Sequence, residues 1–143
     1  MNINGKCLCG RIQYLLEASP SDLAYCHCSE CRRTLGSAFA SYARVKPGSF
    51  KWSLGEDLIS SFESASTVHR CFCSVCGTQL GGIVGEGKEL SWIALGSIEG
   101  DPGVRPEAHI FVGSKAPWHE ITDDLPQFDE WPPESSEFHG RFW

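Results

Sequence analysis

The feature that most constrains this chain is the grouping of its cysteines. All eight fall into three short groups: Cys7 and Cys9, then Cys26, Cys28 and Cys31, then Cys71, Cys73 and Cys76. Cysteines that only fill a core would be scattered along the sequence, whereas these eight lie close together in groups. In a reducing compartment, grouped thiols hold metal ions more often than they form disulfides. The sequence therefore predicts a domain that is held together by metal.

Length and composition indicate one globular domain. The chain has 143 residues, a length sufficient to bury a core. Its residues are 41% hydrophobic and 21% charged, as in globular proteins. It has no apolar run near the ~20 residues of a membrane span, and MNINGKCLCG lacks the apolar core of a signal peptide. We therefore expect a cytoplasmic protein with no membrane partner. The net charge of -6 argues against nucleic acid as a partner, because such binding depends on neutralising phosphates.

Short β-forming segments separated by turn signals predict a mainly all-β domain with one or two short helical turns. The 15 glycines and eight prolines fit a chain with many turns. A short helix is predicted over residues 29–35, with Ser29 as its N-cap and Gly36 as its stop. Strands are predicted over residues 11–16, 38–45, 49–52, 58–62, 67–72 and 90–95.

The composition changes after about residue 128. Residues 129–143, DEWPPESSEFHGRFW, are acidic, contain two prolines and show no periodicity. We therefore predict a domain over residues 1–128 and a C-terminal tail over residues 129–143. Disorder is the simplest expectation for such a tail. Its aromatic residues suggest instead that part of it packs on the domain or on a second subunit: Trp131, Phe138, Phe142 and Trp143.

Ligand counting predicts one closed metal site. A C-x-x-C turn brings two thiolates to one ion, and Gly77 after Cys76 supplies the positive φ that such turns often need. A C-x-C pair lies on one side of an extended segment, where Gly10 allows the chain to bend. We therefore pair Cys7 and Cys9 with Cys73 and Cys76. A zinc ion with four thiolates stabilises the fold but has no position left for chemistry.

The remaining trio, Cys26, Cys28 and Cys31, offers only three ligands. Three protein ligands and one exchangeable position are the pattern of a catalytic zinc. His27 could coordinate as well, although the residue inside a C-x-C usually points away from the ion. Cys71 leaves two interpretations open, since it either completes this second site or is an ordinary thiol on the strand that leads into Cys73. An iron–sulfur centre is a weaker third interpretation, because the C-x-x-C-x-x-C run of ferredoxins is missing.

Several motifs occur in order between about residues 5 and 128. They are G-x-C-x-C-G-x-I-x-Y at 5–14, C-H-C-S-x-C-R at 26–32, F-C-x-x-C-G-T-x-L at 72–80, H-I-F at 109–111, P-W at 117–118 and D-L-P at 124–126. In this combination the chain resembles the glutathione-dependent formaldehyde-activating enzymes and their relatives, which include centromere protein V.

The resemblance implies an all-β, tent-like fold around two zinc ions. It places a structural zinc on Cys7, Cys9, Cys73 and Cys76. It places a catalytic zinc on Cys26, Cys28 and Cys31. The family motif requires no cysteine at position 71, so this sequence departs from it there. The departure keeps open the possibility of a closed second site.

The activity implied by the resemblance is the condensation of glutathione with formaldehyde, a carbon–sulfur lyase reaction on a small-molecule thiol and an aldehyde. Arg32 or Arg33 could bind a glutathione carboxylate with bidentate geometry, or be ordinary surface arginines. His109 and Trp118 match family positions and are further candidate substrate-binding residues, although both could belong to the core. The alternative function is a non-catalytic binding module in which both zinc sites are closed.

Overall fold

The computed structural model describes residues 2–142 and is mainly β-sheet. Within that range one α-helix and three short 3-10 turns accompany the strands, which confirms the predicted all-β class. No helix in the described part of the chain is long and apolar enough to cross a membrane. The helix α1 spans Ser29–Leu35, and the 3-10 turns span Glu56–Leu58, Leu95–Ser97 and Val112–Ser114. The strands are β1 (Ile3–Lys6), β2 (Gln13–Leu16), β3 (Ser21–Cys26), β4 (Ala40–Arg44), β5 (Phe50–Leu54), β6 (Ile59–Ala65), β7 (Val68–Cys73), β8 (Gln79–Val84), β9 (Trp92–Ala94) and β10 (Ala108–Ile110).

The six predicted strands correspond to β2, β4, β5, β6, β7 and β9, with ends that differ by at most three residues. Four strands were not predicted: β1, β3, β8 and β10. The helix has the predicted bounds, but its N-cap is Cys28 and not Ser29. Gly36 ends it in the left-handed conformation, at φ 62°, as a glycine C-cap does.

The chain divides into two compact units. Unit 1 comprises the residues up to Ser21 together with Ala43–Val104. It contains the antiparallel sheet β1-β2-β5 and the antiparallel strands β9-β8-β7-β6. Tyr14 on β2 is buried and stacks on Phe50 of β5, with ring centroids 5.5 Å apart. The first cysteine group lies between β1 and β2. The third group lies on β7 and in the turn between β7 and β8.

Unit 2 comprises Asp22–Tyr42 together with the residues from Arg105 onward. In it β10 pairs in parallel with β3, so that Ile110 lies opposite Cys26. The backbone N–H of His27 continues this pairing by donating to the carbonyl of Ile110 at 2.9 Å. The second cysteine group therefore begins at the end of a buried strand and runs into α1.

The C-terminal residues of unit 2 pack on it through aromatic side chains. The ring of Trp131 meets that of Phe111 at a centroid distance of 4.9 Å. Phe142 is buried and stacks on Phe138 at 5.8 Å. These contacts agree with the expectation that the aromatic tail packs on the domain, whereas Trp143 lies outside the described residues. The domain boundary after residue 128 stays a prediction.

Candidate metal centres

The first candidate centre is a cluster of four sulfurs in unit 1. The Sγ atoms of Cys7, Cys9, Cys73 and Cys76 all lie within 4.8 Å of one another. Cys7 and Cys9 are separated by 3.5 Å, and Cys9 and Cys73 by 3.9 Å. A Zn–S bond of roughly 2.3 Å places neighbouring sulfurs of a tetrahedral site a little under ~4 Å apart. The four thiols thus fit a closed tetrahedral zinc site.

Two glycine turns bring these sulfurs together. Gly10 has φ 77° and donates its N–H to the carbonyl of Cys7 at 3.0 Å. Gly77 has φ 78° and donates its N–H to the carbonyl of Cys73 at 2.8 Å. A side chain at such φ values would be strained, so glycine permits both turns. Both positions play the part expected of them from the sequence.

Thr78 supports this cluster in a way that the spacing of the cysteines did not reveal. Its Oγ1 lies 3.2 Å from the Sγ of Cys76 and accepts a hydrogen bond from the N–H of Leu8 at 3.0 Å. The hydroxyl and backbone N–H of Thr78 lower the pKa of Cys76 to about 5. Hydrogen bonds to a thiolate favour the charged form that binds metal. Thr78 therefore prepares Cys76 as a ligand.

The second candidate centre is a cluster of three sulfurs in unit 2. The Sγ atoms of Cys26, Cys28 and Cys31 lie within 4.8 Å of one another. The Sγ of Cys28 accepts a hydrogen bond from the backbone N–H of Cys31 at 3.3 Å, which makes Cys28 the N-cap of α1. Hydrogen bonds from Cys26 and Cys31 lower the pKa of Cys28 to about 2, and the same sharing raises that of Cys26. The cluster could hold a metal ion with three thiol ligands.

His27 lies between two of these thiols in the sequence, but its ring takes part in a different set of contacts. Its Nε2 lies 2.7 Å from the Nδ1 of His109. The Nε2 of His109 in turn lies 3.0 Å from both carboxylate oxygens of Asp123. The compact sulfur cluster includes three thiols and no imidazole nitrogen among the described residues. The arrangement therefore gives no support to His27 as a metal ligand.

Burial keeps His27 uncharged. The side chain is fully buried, and this lowers its pKa to about 4. His109, His119 and Lys115 act in the same direction, while Asp123 opposes them. The ring of His119 stacks near that of His27, with centroids 6.1 Å apart. Sequence reasoning missed Asp123, His119 and Lys115, because only the fold brings them near residue 27. The one available signal was the position of Asp123 beside the D-L-P motif.

The four candidate substrate-binding residues have different surroundings. Arg32 is half-buried, and its Nε donates to the carbonyl of His27 at 3.4 Å. Arg33 is exposed on α1, and Trp118 is 72% exposed, which excludes a core position for it. His109 is buried, and both its ring nitrogens are engaged. The structure thus brings Arg32 and His109 to His27, while Arg33 and Trp118 face solvent.

Cys71 is a buried thiol on β7 in unit 1. It does not belong to the four-sulfur cluster of that unit. Its Sγ lies 3.9 Å from the carbonyl oxygen of His69, and burial raises its pKa to about 11. A thiol with a raised pKa is a poor metal ligand, because the thiolate is the binding form. Its surroundings are those of an ordinary core thiol.

The chain is similar to a known protein family and to a solved structure. The family model described as Glutathione-dependent formaldehyde-activating enzyme matches residues 2–114. Among solved structures, the chain is similar to a crystal structure of a Rhodobacter sphaeroides protein, with 25% sequence identity and a TM-score of 0.54. That match covers 68% of this chain and 89% of the other. No curated protein matches the chain. The range of the family model contains both sulfur clusters and ends before Asp123.

Proposed function

This chain belongs to the glutathione-dependent formaldehyde-activating enzyme family, and on that premise we propose that it is a zinc-dependent carbon–sulfur lyase. Its substrates would be a glutathione-type thiol and formaldehyde or a related small aldehyde. The observation that carries the proposal is the difference between the two sulfur clusters, one of four thiols and one of three. A four-thiolate zinc site is closed, whereas a three-ligand site has room for a substrate atom.

The two clusters would have separate tasks. The four thiols of unit 1 would hold a structural zinc, and Cys26, Cys28 and Cys31 would hold the catalytic one. A zinc ion with three thiolate ligands supplies a fourth position at which a substrate thiol is held as its thiolate at neutral pH. The N–H of Cys31 stabilises Cys28 as a thiolate through the cap hydrogen bond. Cys28 also lies at the N-terminal end of α1, where the helix dipole favours negative charge.

The reaction joins two small molecules without any redox change. The sulfur of the thiol forms a bond to the carbonyl carbon, and the π-electron pair of the C=O bond moves to the oxygen. The proton lost by the thiol ends on that oxygen, which gives an S-hydroxymethyl adduct in the case of formaldehyde. The task of the protein is to hold the thiolate and the aldehyde next to each other, and proximity of this kind supplies much of the rate enhancement.

Arg32 and Arg33 are proposed to bind a carboxylate of the thiol substrate. Arg32 follows Cys31 directly, and its guanidinium lies against the carbonyl of His27, so it is near the three-thiol cluster. A guanidinium can bind a carboxylate through two parallel hydrogen bonds. Trp118 is a large exposed aromatic side chain and is proposed as an apolar contact for the substrate. His109 is better described as a positioning residue, since both of its ring nitrogens have partners within the protein.

The rate of adduct formation from glutathione and formaldehyde tests the proposal directly. The protein is first loaded with zinc at both sites, and metal content is confirmed. We expect the loaded protein to accelerate adduct formation, Cys28→Ser to abolish the acceleration, and the core variant Cys71→Ser to retain it. If the fully loaded protein is no faster than the uncatalysed reaction, the lyase assignment is wrong. The protein would then fit the alternative of a non-catalytic binding module.

A further inference from the structure

Residues 126–142 contact both strands that lead towards the three-thiol cluster, and we call this segment the strap. The N–H of His109 on β10 donates to the carbonyl of Pro126 at 2.8 Å. The carbonyl of His109 accepts a hydrogen bond from the N–H of Phe128 at 2.9 Å. The strap therefore begins as a backbone partner of β10. It lies outside the range of the family model, which ends before it.

Near the end of the strap, Arg141 joins the starts of β3 and β10. Its Nε donates to a carboxylate oxygen of Asp22, the second residue of β3, at 3.0 Å. Its Nη2 donates to the carboxylate of Glu107, the residue before β10. The side chain that follows, Phe142, is buried and fixes this end of the strap on unit 2. One guanidinium thus ties the two parallel strands together, at the end of β3 opposite to Cys26.

The strap also holds two residues in a backbone conformation that they would not adopt alone. Phe111, which follows β10, has φ 56° and ψ 37°, a left-handed conformation that is rare for a bulky side chain. The ring of Trp131 meets its ring at 4.9 Å, and the carbonyl of Glu130 accepts its N–H at 3.2 Å. Asp22, which Arg141 binds, has φ 49°. Strained residues persist only where surrounding contacts hold them, and here the strap supplies such contacts to both.

The strained Phe111 lies next to the point where β10 meets the cysteine cluster. Ile110 precedes it and lies opposite Cys26 in the parallel pairing. The carbonyl of Ile110 accepts the N–H of His27 at 2.9 Å, and His27 separates Cys26 from Cys28 in the sequence. If the backbone at residue 111 relaxes, the hydrogen-bond partner of the segment that carries two of the three thiols moves with it.

We propose that the strap holds β3 against β10 and thereby keeps Cys26 where the three-thiol cluster requires it. Arg141 acts at the starts of the two strands, and Trp131 acts at the end of β10. The C-terminal segment of the chain would then control how tightly the second cluster holds metal, while the four-thiol cluster of unit 1 is unaffected. The inference rests on the metal-binding role proposed for the three-thiol cluster and adds a device that regulates it.

Hydrogen exchange of the His27 backbone N–H and the rate of zinc release test the strap in the full-length, zinc-loaded chain. Release from the second cluster is identified as the phase that Cys28→Ser lacks. In Arg141→Gln and in Trp131→Ala we expect both rates to rise about tenfold, because each variant removes one contact that holds a strained residue. Zinc release from the four-thiol cluster should not change. Glu134→Gln alters one exposed charge of the strap and is the matched control, in which both rates should stay at the wild-type value.

Two substitutions of Phe111 separate the release of strain from a general loss of packing. Phe111→Ala and Phe111→Gly both lose the contact with Trp131, but only alanine keeps a Cβ atom in the left-handed conformation. Glycine adopts this conformation without strain. We therefore expect the His27 N–H to exchange as fast in Phe111→Ala as in Trp131→Ala, and more slowly in Phe111→Gly. Faster exchange in the glycine variant than in the alanine variant would overturn the inference.

The two readouts distinguish a failure of the strap from a failure of the proposed function. Wild-type rates of exchange and zinc release in both Arg141→Gln and Trp131→Ala would overturn the strap and leave the lyase assignment intact. A wild-type chain that binds only one zinc ion would contradict the proposed function, and control of metal by the strap would fall with it.

Discussion

The Sγ atom of Cys28 accepts a hydrogen bond from the backbone N–H of Cys31 at 3.3 Å, so one candidate metal ligand is also the N-cap of α1. Replacement of Cys28 by Ser keeps an acceptor at the cap, whereas replacement by Ala removes it. Both variants should lose the metal of the three-thiol cluster. We expect Cys28→Ala to be about 1 kcal/mol less stable than Cys28→Ser in urea unfolding, which is the usual value of an N-cap side chain. Equal stabilities of the two variants would show that the cap contributes nothing.

Cys71 and Cys73 lie two residues apart on β7 but are predicted to differ completely in metal binding. Cys73 belongs to the four-sulfur cluster, and Cys71 does not. Cys73→Ser should reduce the zinc content by one ion per chain and destabilise the fold, because metal binding contributes to folding. Cys71→Ser should leave the zinc content unchanged. Zinc content per chain, measured after gentle purification, separates the two, and a loss of zinc in Cys71→Ser would assign Cys71 to a metal site.

Tyr14 gives the fold a defined dependence on alkaline pH. Its hydroxyl is buried, lies 2.7 Å from the Oγ of Ser97, and burial raises its pKa above the ordinary 10. A group whose pKa is raised in the folded state contributes stability that is fully present below its unfolded pKa. That contribution is lost as the pH rises above the unfolded pKa. At pH 8 we expect Tyr14→Phe to cost about 1 kcal/mol through the lost hydrogen bond.

The same comparison at higher pH supplies the test. Above about pH 10 the unfolded chain releases the proton of Tyr14 while the folded chain keeps it. The wild type should therefore lose stability faster than Tyr14→Phe as pH rises. The difference between their free energies of unfolding, called the gap below, should narrow. Urea unfolding of both proteins at pH 8 and pH 11 measures this gap. A gap that stays constant would contradict the assigned cause.

We predict that any side chain at Gly82 on β8 lowers the stability of the fold, because the ring of Trp92 fills the space beside it. A Cβ atom at this position would lie 2.1 Å from the Cζ2 atom of Trp92. Gly82→Ala should therefore cost on the order of 1–3 kcal/mol, as overpacking of a core does. Gly87 has nothing within 4 Å of its would-be Cβ and no left-handed φ, so Gly87→Ala is the matched control. Thermal unfolding of both variants checks this, and equal stabilities would show that Trp92 moves freely.

Gly82 also shows why some strands of the fold could not be predicted from the sequence. The segments rich in β-branched and aromatic residues were predicted, because period and turn signals are local. β8 was not predicted, because glycine is unfavourable inside a strand and Gly81 and Gly82 lie in its middle. The close approach of Trp92 explains why glycine occurs there. β10 is three residues long and exists through its parallel pairing with β3. No local pattern reveals a contact so distant in sequence.

The candidate site was predictable to the extent that it depends on ligand chemistry. Four thiols with C-x-C and C-x-x-C spacing have few ways to satisfy a tetrahedral ion, and the Sγ atoms of the four paired cysteines lie within 4.8 Å of one another. The surroundings of the second cluster were not predictable. His27 was considered only as a ligand, and its partners His109 and Asp123 are brought to it by tertiary structure alone. Ligand sets follow from local spacing, whereas the residues that orient a site follow from the fold.

The central claim is that the two zinc sites differ, one closed by four sulfurs and one with three sulfurs and an exchangeable position. Zinc X-ray absorption on protein that contains two zinc ions per chain tests it most directly. We predict an average shell of between three and four sulfurs with a light-atom contribution, which glutathione should convert towards four sulfurs. A shell of four sulfurs and no light atom before any thiol is added would contradict the account.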